Sequence, residues 1–553
     1  MASADVNDHL NARLAWLILA LIIAGGVMLR TPALHWLAGA AESADFSFQP
    51  DDMRFVLAAK DIQAPNPDGY PQGMTTQLYL AHSLVNRFTP ASFLQVLHAI
   101  TIFYAGLSIL LTYLTARSWR MTRGGALLGA AFLSLAPAAV VQSNFGTADI
   151  TAMFYFYATL LAGGQYLRTG RQLWFVSLCA LTGMAVAVKF SVPLFAPLAL
   201  VLAVQRKGER LAQGLSALLI VVASFQALSL FRFTPWDLHR LFLMLRDDNV
   251  VIAGVQSDIV ASGPIDQLLR YSWDLVSAVG IPSALLFVVG FVRWSRSLRE
   301  MAQRITGAFS ADRWRTLVTP ASLFVVALSL HALLLVISRI HAQRHVLIFV
   351  PVICIAAAQA LFWLLGTRRL TAPVRVLAIA VILACETSDA IAIESLYPAD
   401  VRNELAGWTA QQAAQGKRVV TLTPFSNVRG SEYNPAQNPL LLDKSSYVVT
   451  CDFEFARYLH HRNASEVFHP LGGQERLDFF RGALELGTSE FGIVREFSSK
   501  PRGAELRLID AHVLAPLGTF VPRHCVALGR VDELPPDAQR TIRAELATAG
   551  RGW

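Results

Sequence analysis

The chain has 553 residues, of which 54% are hydrophobic and only 16% charged, with a mean hydropathy of +0.44. A soluble protein of this length carries about a quarter charged residues, so the composition excludes an ordinary soluble enzyme. The net charge of +8 sits at the ends of apolar blocks and forms no basic run interleaved with aromatics, which points to membrane topology and away from nucleic acid.

Eleven apolar blocks are long enough to cross, or nearly cross, a hydrocarbon core of roughly 30 Å. They lie at 13–29, 91–115, 124–141, 150–167, 173–188, 190–205, 212–231, 274–292, 317–337, 346–365 and 374–393. The fifth and sixth are split at Lys189, because Pro193 and Pro197 follow it and a buried lysine suggests an interruption. At the start, Arg13, an apolar stretch and Ala38-Gly39-Ala40 imitate a cleavable signal peptide, but the stretch is long for one and Ala40 lies well beyond its end. It reads as an uncleaved first helix. In the segment 30–90, Pro50 starts a helix through Asp51, Asp52, Met53, Phe55, Val56 and Leu57. After the turn cluster Pro65–Gly73, Met74, Leu78, Ala81, Leu84, Val85 and Phe88 recur at helical spacing opposite Thr76, Gln77, His82, Ser83, Asn86 and Arg87, the pattern of an interfacial helix.

Alternate short loops carry the basic residues: Arg117, Arg120 and Arg123; Arg168 and Arg171; Arg206, Lys207 and Arg210; Arg293 to Arg315; Arg368, Arg369 and Arg375. The positive-inside tendency makes these cytoplasmic, along with the N-terminus. Segments 30–90, 142–149, 232–273, 338–345 and everything after about 394 then face outward. From there the composition changes. Val419–Leu422, Tyr447–Thr450, Phe491–Phe497 and Leu506–Ile509 read as strands, and 400–415, 453–461 and 473–486 as helices. The expected architecture is an α-helical polytopic membrane bundle over 1–393, followed by a small extracytoplasmic α/β domain over 394–553. Cys179, Cys354 and Cys385 fall in apolar blocks, whereas Cys451 and Cys525 lie in the polar part, where a disulfide and two lone thiols are both open readings.

Asp51 and Asp52 stand just outside the first membrane helix. Adjacent carboxylates repel and apolar neighbours raise the cost of ionising both, so one is suited to act as a base near neutral pH. The plainer reading is a helix N-terminus that favours acids. Asp149 also opens a helix, in the shortest outward segment. Lys189 closes Gly183-Met-Ala-Val-Ala-Val-Lys-Phe-Ser191 with no charge nearby in sequence, a functional candidate against the alternative of snorkelling to the interface. Arg339, His341, Arg344 and His345 cluster in one outward loop, against the positive-inside tendency; a phosphate or lipid head groups would compensate. Trp236, Asp237, His239 and Arg240 are weaker candidates to line the same cavity.

Together these segments resemble the GT-C membrane glycosyltransferases, nearest the dolichyl-phosphate-mannose protein mannosyltransferase and aminoarabinose transferase group. Pro50-Asp51-Asp52 is similar to the family's Pro-Asp-Glu-like motif, Tyr70-Pro71 and the helix from Met74 to its Tyr-Pro turn and apolar helix, and Asp149 to its second-loop acid. Val188-Lys189 resembles the Thr-Lys that ends a Gly-rich helix, and Arg344-His345 with Pro351 a later Arg-Tyr segment followed by Pro. The order and spacing extend over roughly the first 390 residues, and Tyr447–Thr450 and Phe491–Phe497 also look like the outer domain of many relatives. Asp52 stands where Glu is usual and His345 where Tyr is usual.

The resemblance implies an inverting transfer of a sugar from a polyprenyl-phosphate donor to a lipid, glycan or protein acceptor on the outer face. Asp51 and Asp149 would be catalytic, and Asp52, Tyr70, Lys189, Arg339, His341 and Arg344 would bind substrate. Some relatives use a divalent metal at the acidic site, but the carboxylates here are too few and scattered to predict one. The longest cytoplasmic loop, about 293–316, is too short for a nucleotide-sugar Rossmann unit. A lipid-linked sugar flippase or transporter would share the hydropathy, but no inverted repeat is visible; a glycan polymerase or ligase would carry its charges in a late outer loop; a scaffold that has lost catalysis would have no need of Asp51, Asp149 and Lys189 together. Short loops and an Ala/Arg-rich composition favour a bacterial inner membrane.

Overall fold

The computed structural model describes residues 10–36, 50–62, 72–189, 201, 210–232, 234, 263–292, 320–337, 343–366, 371–398, 400–422, 427–434, 446–451, 478–480, 482–483, 491–498 and 524–530. The first helix, α1 (Ala12–Leu29), begins at Asn11, whose side chain accepts from the Arg13 N–H, and presents Trp16, Leu17, Leu21 and Met28 outward. An exposed apolar stripe of that kind fits a lipid-facing helix and would be costly in water. A 3-10 turn (Thr31–His35), α2 (Pro50–Lys60) and α3 (Gly73–Val85) occupy the expected first outward segment. In α2, Asp52, Phe55, Val56 and Ala59 form the buried face, spaced i, i+3, i+4 and i+7.

α4 (Phe93–Ser118) starts in a capping box between Ser92 and Gln95. The expected span 124–141 is two helices, α5 (Arg123–Leu135) and α6 (Pro137–Asn144), bent by 52°. Pro137 causes the break, since it has no N–H to donate and its ring clashes with the carbonyl one turn back. α7 (Ala148–Thr169) and α8 (Gln172–Val188) form a tightly packed hairpin that turns on Gly170 in the left-handed region, and α9 (Arg210–Leu228) packs against α8. The expected block 190–205 lies outside the described residues, apart from position 201.

The expected span 274–292 is also not continuous. α10 (Pro264–Val279) meets the next helix, α11 (Ile281–Val292), at 117°. Gly280 makes the elbow at φ +82°, and Glu386 Oε1 accepts from the N–H and hydroxyl of Ser283 at 3.0 and 2.7 Å, holding the start of α11. α10 buries Gln267, Tyr271, Asp274 and Ser277 and exposes Ile265, Leu268, Leu269 and Trp273. The polar stripe faces the protein and the apolar stripe faces out, as suits contact with lipid. Next come α12 (Pro320–Ile337), a 3-10 segment (Gln343–Phe349), α13 (Val350–Leu365) and α14 (Ala372–Glu394). Among the described residues, Ala12–Leu29, Phe93–Ser118, Arg344–Leu365 and Ala372–Glu394 are each long and apolar enough to cross a membrane, and the two bent pairs would bring the number to six. The chain is an integral membrane protein by these lengths and this composition.

Beyond α14, Asp400 and Arg402 form a fully buried pair at 2.7 Å. Trp36 Nε1 donates to Asp400 at 2.9 Å and Arg402 lies over the Trp36 ring, so this segment is tied back to the first outward turn. α15 (Arg402–Ala414) leads into a mixed five-stranded sheet: β1 (Arg418–Thr421), β2 (Glu432–Tyr433), β3 (Ser446–Cys451), β4 (Phe491–Ser498) and β5 (His524–Arg530), in the order β2-β1-β3-β5-β4. β1 is parallel to β2 and β3, and β5 is antiparallel to both neighbours. Period-two alternation buries both faces: Val420, Val448, Ile493, Val526 and Leu528 pack with Phe479 and Phe480, while Val419, Val449, Phe497 and Ala527 pack on the side of Trp408. The expected strands at 419–422, 447–450 and 491–497 are present within a residue or so, β2 and β5 were not foreseen, and the expected strand 506–509 and helix 453–461 lie outside the described residues.

Cys451 and Cys525 are opposite each other across β3 and β5 and are joined by a disulfide. The bond closes a separation of 74 residues, so its loss removes a large constraint on the unfolded chain. The double Cys451→Ser, Cys525→Ser variant is expected to lose about 2–5 kcal/mol of stability in this sheet. Thermal unfolding of both forms measures the loss, and alkylation with mass spectrometry before and after reduction verifies the pairing.

Candidate functional site

The α7–α8 hairpin brings together two charges 40 positions apart. Asp149 lies in the first turn of α7 and Lys189 immediately follows α8, both under a tenth exposed, with Nζ donating to Asp149 Oδ1 at 2.5 Å. An acid at a helix N-terminus and a cation at a helix C-terminus each also suit the local dipole. Lys189 is therefore ion-paired inside the protein and not snorkelling. The place of Lys189 depends on α3, because a Cβ on Gly73 would come 2.5 Å from the Ala187 carbonyl oxygen and 3.0 Å from the Val188 nitrogen. Both are backbone atoms that have no rotamer to yield. Gly73→Ala is expected to cost about 1–3 kcal/mol by overpacking and to displace Lys189 from Asp149. A thermal unfolding curve together with turnover measures both effects.

On the other side of Asp149, the linking stretch Phe145-Gly146-Thr147 lies against α2. Asp52 has no exposed surface and accepts from His98 Nε2 of α4 at 3.1 Å. A Cβ on Gly146 would meet Leu97 Cδ2 at 2.3 Å and Asp52 Cγ at 3.3 Å, so only glycine lets the stretch approach this closely. The end of α6 is held from three sides. Arg30 donates to Ser143 Oγ at 2.7 Å and to the carbonyls of Gly26 and Ser134; Thr101 donates to the Ser143 carbonyl; and Asn144 Nδ2 donates to Glu394 Oε1 of α14 at 2.5 Å. Arg30 and Glu394 are near enough for their charges to attract. Tyr397, just beyond α14, is pushed well above the usual phenol range by burial and by the neighbouring Glu394 and Asp52 carboxylates, so it stays neutral among them.

Arg344 and His345 lie in the 3-10 segment before α13, and the Arg344 charge acts on Asp149. That segment is pinned by Tyr157 of α7, which donates to the Ile348 carbonyl at 2.8 Å, and by Tyr271 of α10, whose hydroxyl is 3.3 Å from His345 Nδ1. Asp149, Lys189 and Arg344 thus form one charged group where the start of α7 and the end of α8 come near the 3-10 segment.

No family model matches the chain, and no curated protein does. Among proteins of known structure, it is similar to ArnT from Cupriavidus metallidurans. The identity is 16%, the alignment covers 74% of this chain and 83% of ArnT, and the TM-score is 0.46. An ArnT structure bound to undecaprenyl phosphate gives 17% identity and a TM-score of 0.44, covering 72% and 71% of the two chains. The archaeal oligosaccharyltransferase AglB from Archaeoglobus fulgidus, in complex with an inhibitory peptide and a dolichol-phosphate, gives 11% identity and a TM-score of 0.48, covering 93% of this chain and 88% of its own. These values describe a partly shared course of the chain and carry nothing about its chemistry.

Of the residues singled out in the sequence, Asp149, Lys189 and Arg344 come together. Asp52 is turned into the protein toward His98, and Asp51 occupies the first turn of α2. Tyr70, Arg339 and His341, with Trp236 to Arg240, lie outside the described residues. His98, Arg30, Asn144 and Glu394 were not anticipated. The rule that selected Lys189, an ionisable group inside or at the end of an apolar block, applies equally to Arg30, His98 and Glu394. Among the described residues, no group of three or more His, Cys, Asp and Glu is placed to hold a metal ion. Asp149 Oδ1 already carries the Lys189 ammonium, which would oppose a second cation there, so no step below is routed through a metal.

Proposed function

We propose that this protein is an inverting membrane glycosyltransferase that moves a sugar from a polyprenyl-phosphate donor to a lipid, glycan or protein acceptor on the outer face. The observation that carries the reading is the buried Asp149–Lys189 pair with Arg344 beside it, next to the helix that begins Pro50-Asp51-Asp52. Two fixed cations in a water-poor setting suit a phosphate leaving group, and the order of motifs along the chain is that of the glycosyltransferases it resembles. Asp51 takes the proton of the acceptor hydroxyl. The acceptor oxygen attacks the anomeric carbon from the face opposite the phosphate, the bond from that carbon to the phosphate oxygen breaks, and polyprenyl phosphate departs with both electrons. Lys189 and Arg344 offset the charge that grows on it. Asp149 holds the Lys189 ammonium in place and helps position the acceptor. Tyr70, Arg339 and His341 complete the substrate contacts.

The disulfide between Cys451 and Cys525 supports placing the C-terminal sheet, as a domain over 394–553, on the outer side, because such bonds persist in an oxidising compartment. With the basic loops inside, the N-terminus is then cytoplasmic, and the short loops and Ala/Arg-rich composition favour a bacterial inner membrane over the endoplasmic reticulum. The test is to incubate purified protein and its Asp51→Asn variant with a panel of polyprenyl-phosphate sugars and follow release of free polyprenyl phosphate. Release by the native protein and not by the variant is expected. Intact donor moved across vesicles without release would instead establish a flippase, and elongation of a lipid-linked glycan a polymerase.

A further inference from the structure

Asp52 has no exposed surface, and its Oδ2 is 3.1 Å from Nε2 of His98, which is itself 2% exposed. The two residues belong to different elements: Asp52 to the first turn of α2, in the outward segment, and His98 to α4, in the helical bundle. The Asp52 carboxyl carbon also sits against Gly146, three residues before Asp149. One buried carboxylate therefore touches both the bundle and the stretch that leads to Asp149, while its chain neighbour is Asp51. We infer that His98 and Asp52 are a positioning pair: their hydrogen bond fixes the first turn of α2, ahead of the apolar contacts at Phe55, Val56 and Ala59, and with it the place of position 51 in that turn.

The physical reason is geometric. Successive residues of an α-helix are about 100° apart around its axis, 3.6 to the turn, so anchoring Asp52 inward sends Asp51 to an adjoining face. The leading N–H groups of a helix make no bonds within it, so side-chain contacts set the aim of its first turn. Without the anchor α2 keeps its apolar contacts through Phe55, Val56 and Ala59, so the helix stays and only its first turn is released.

This inference rests on the proposed transferase reading, and the experiment separates the two. Donor turnover is measured for the native protein and for His98→Ala, His98→Gln, Asp52→Ala and Asp52→Asn, with thermal unfolding of each. His98→Ala and Asp52→Ala are expected to lower kcat by about a hundredfold, the effect of misplacing a reacting group by an ångström or so, with KM for the donor moving less than about threefold. Gln at 98 keeps an N–H donor and Asn at 52 keeps a carbonyl acceptor. Each is expected to recover about tenfold over the corresponding Ala variant. If Asp52→Asn is as inactive as Asp52→Ala while remaining folded, the carboxylate charge itself is needed and the positioning role is overturned. Full turnover in folded His98→Ala overturns it as well and leaves the transferase reading intact. No release from any donor by the native protein overturns both.

Discussion

Asp51→Asn is expected to lower the rate of polyprenyl-phosphate release by about 10²- to 10⁴-fold, the usual contribution of a positioned general base. The amide keeps the size and hydrogen-bonding capacity of the side chain but cannot take the acceptor proton. Donor binding should be nearly unchanged, because the proposal assigns the phosphate to Lys189 and Arg344 and not to Asp51. The measurement is a donor titration of both forms under single-turnover conditions. A fall in kcat with a steady KM identifies an interaction made only in the transition state. A variant that turns over at the native rate would end the assignment of Asp51 as base.

Lys189→Met carries the second large effect. It removes the cation from a pair in which both partners are almost wholly buried, and leaves the Asp149 carboxylate there. Breaking a buried pair from one side costs about 3–5 kcal/mol, most of it the desolvation of the stranded charge. Turnover is expected to fall to background, since the cation proposed to oppose the leaving phosphate is gone. Lys189→Met combined with Asp149→Asn removes both charges, so much of the lost stability should return while turnover does not. The double variant separates the two roles of Lys189, and thermal unfolding with turnover across the cycle of four proteins reads them. Recovery of turnover in the double variant would reduce Lys189 to a structural counter-ion for Asp149.

The membrane-bundle character was legible because hydrophobic blocks of helical length need no tertiary information. Eighteen or more apolar residues satisfy their backbone only as a helix in lipid, and Ala12–Leu29 and Ala372–Glu394 lie within about two residues of their expected ends. The elbow at Gly280 was less so. A hydropathy window averages over it, and the bend arises from a left-handed glycine and a carboxylate more than a hundred residues away, Glu386. The break at Pro137 was visible in principle, since proline acts locally. β2 and β5 escaped for another reason: a two-residue strand has no periodicity, and the β5 run His524-Cys-Val-Ala-Leu-Gly-Arg530 is buried at all its central positions and does not alternate.

The class of molecule, the ends of most helices and some of the ionisable residues in apolar surroundings could be read from the sequence. Asp52 and Lys189 were found that way, Asp149 by its place at a helix start and Arg344 by a basic cluster in an outward loop. Only the tertiary structure decided who meets whom. Lys189 was a functional candidate against snorkelling until the α7–α8 hairpin placed it on Asp149, and nothing in the sequence paired Asp52 with His98 of α4. The physical reason is that burial is written in local composition, whereas the partner of a buried charge is set by helix packing, which depends on small contacts such as Gly73 on Ala187 and Gly146 on Leu97.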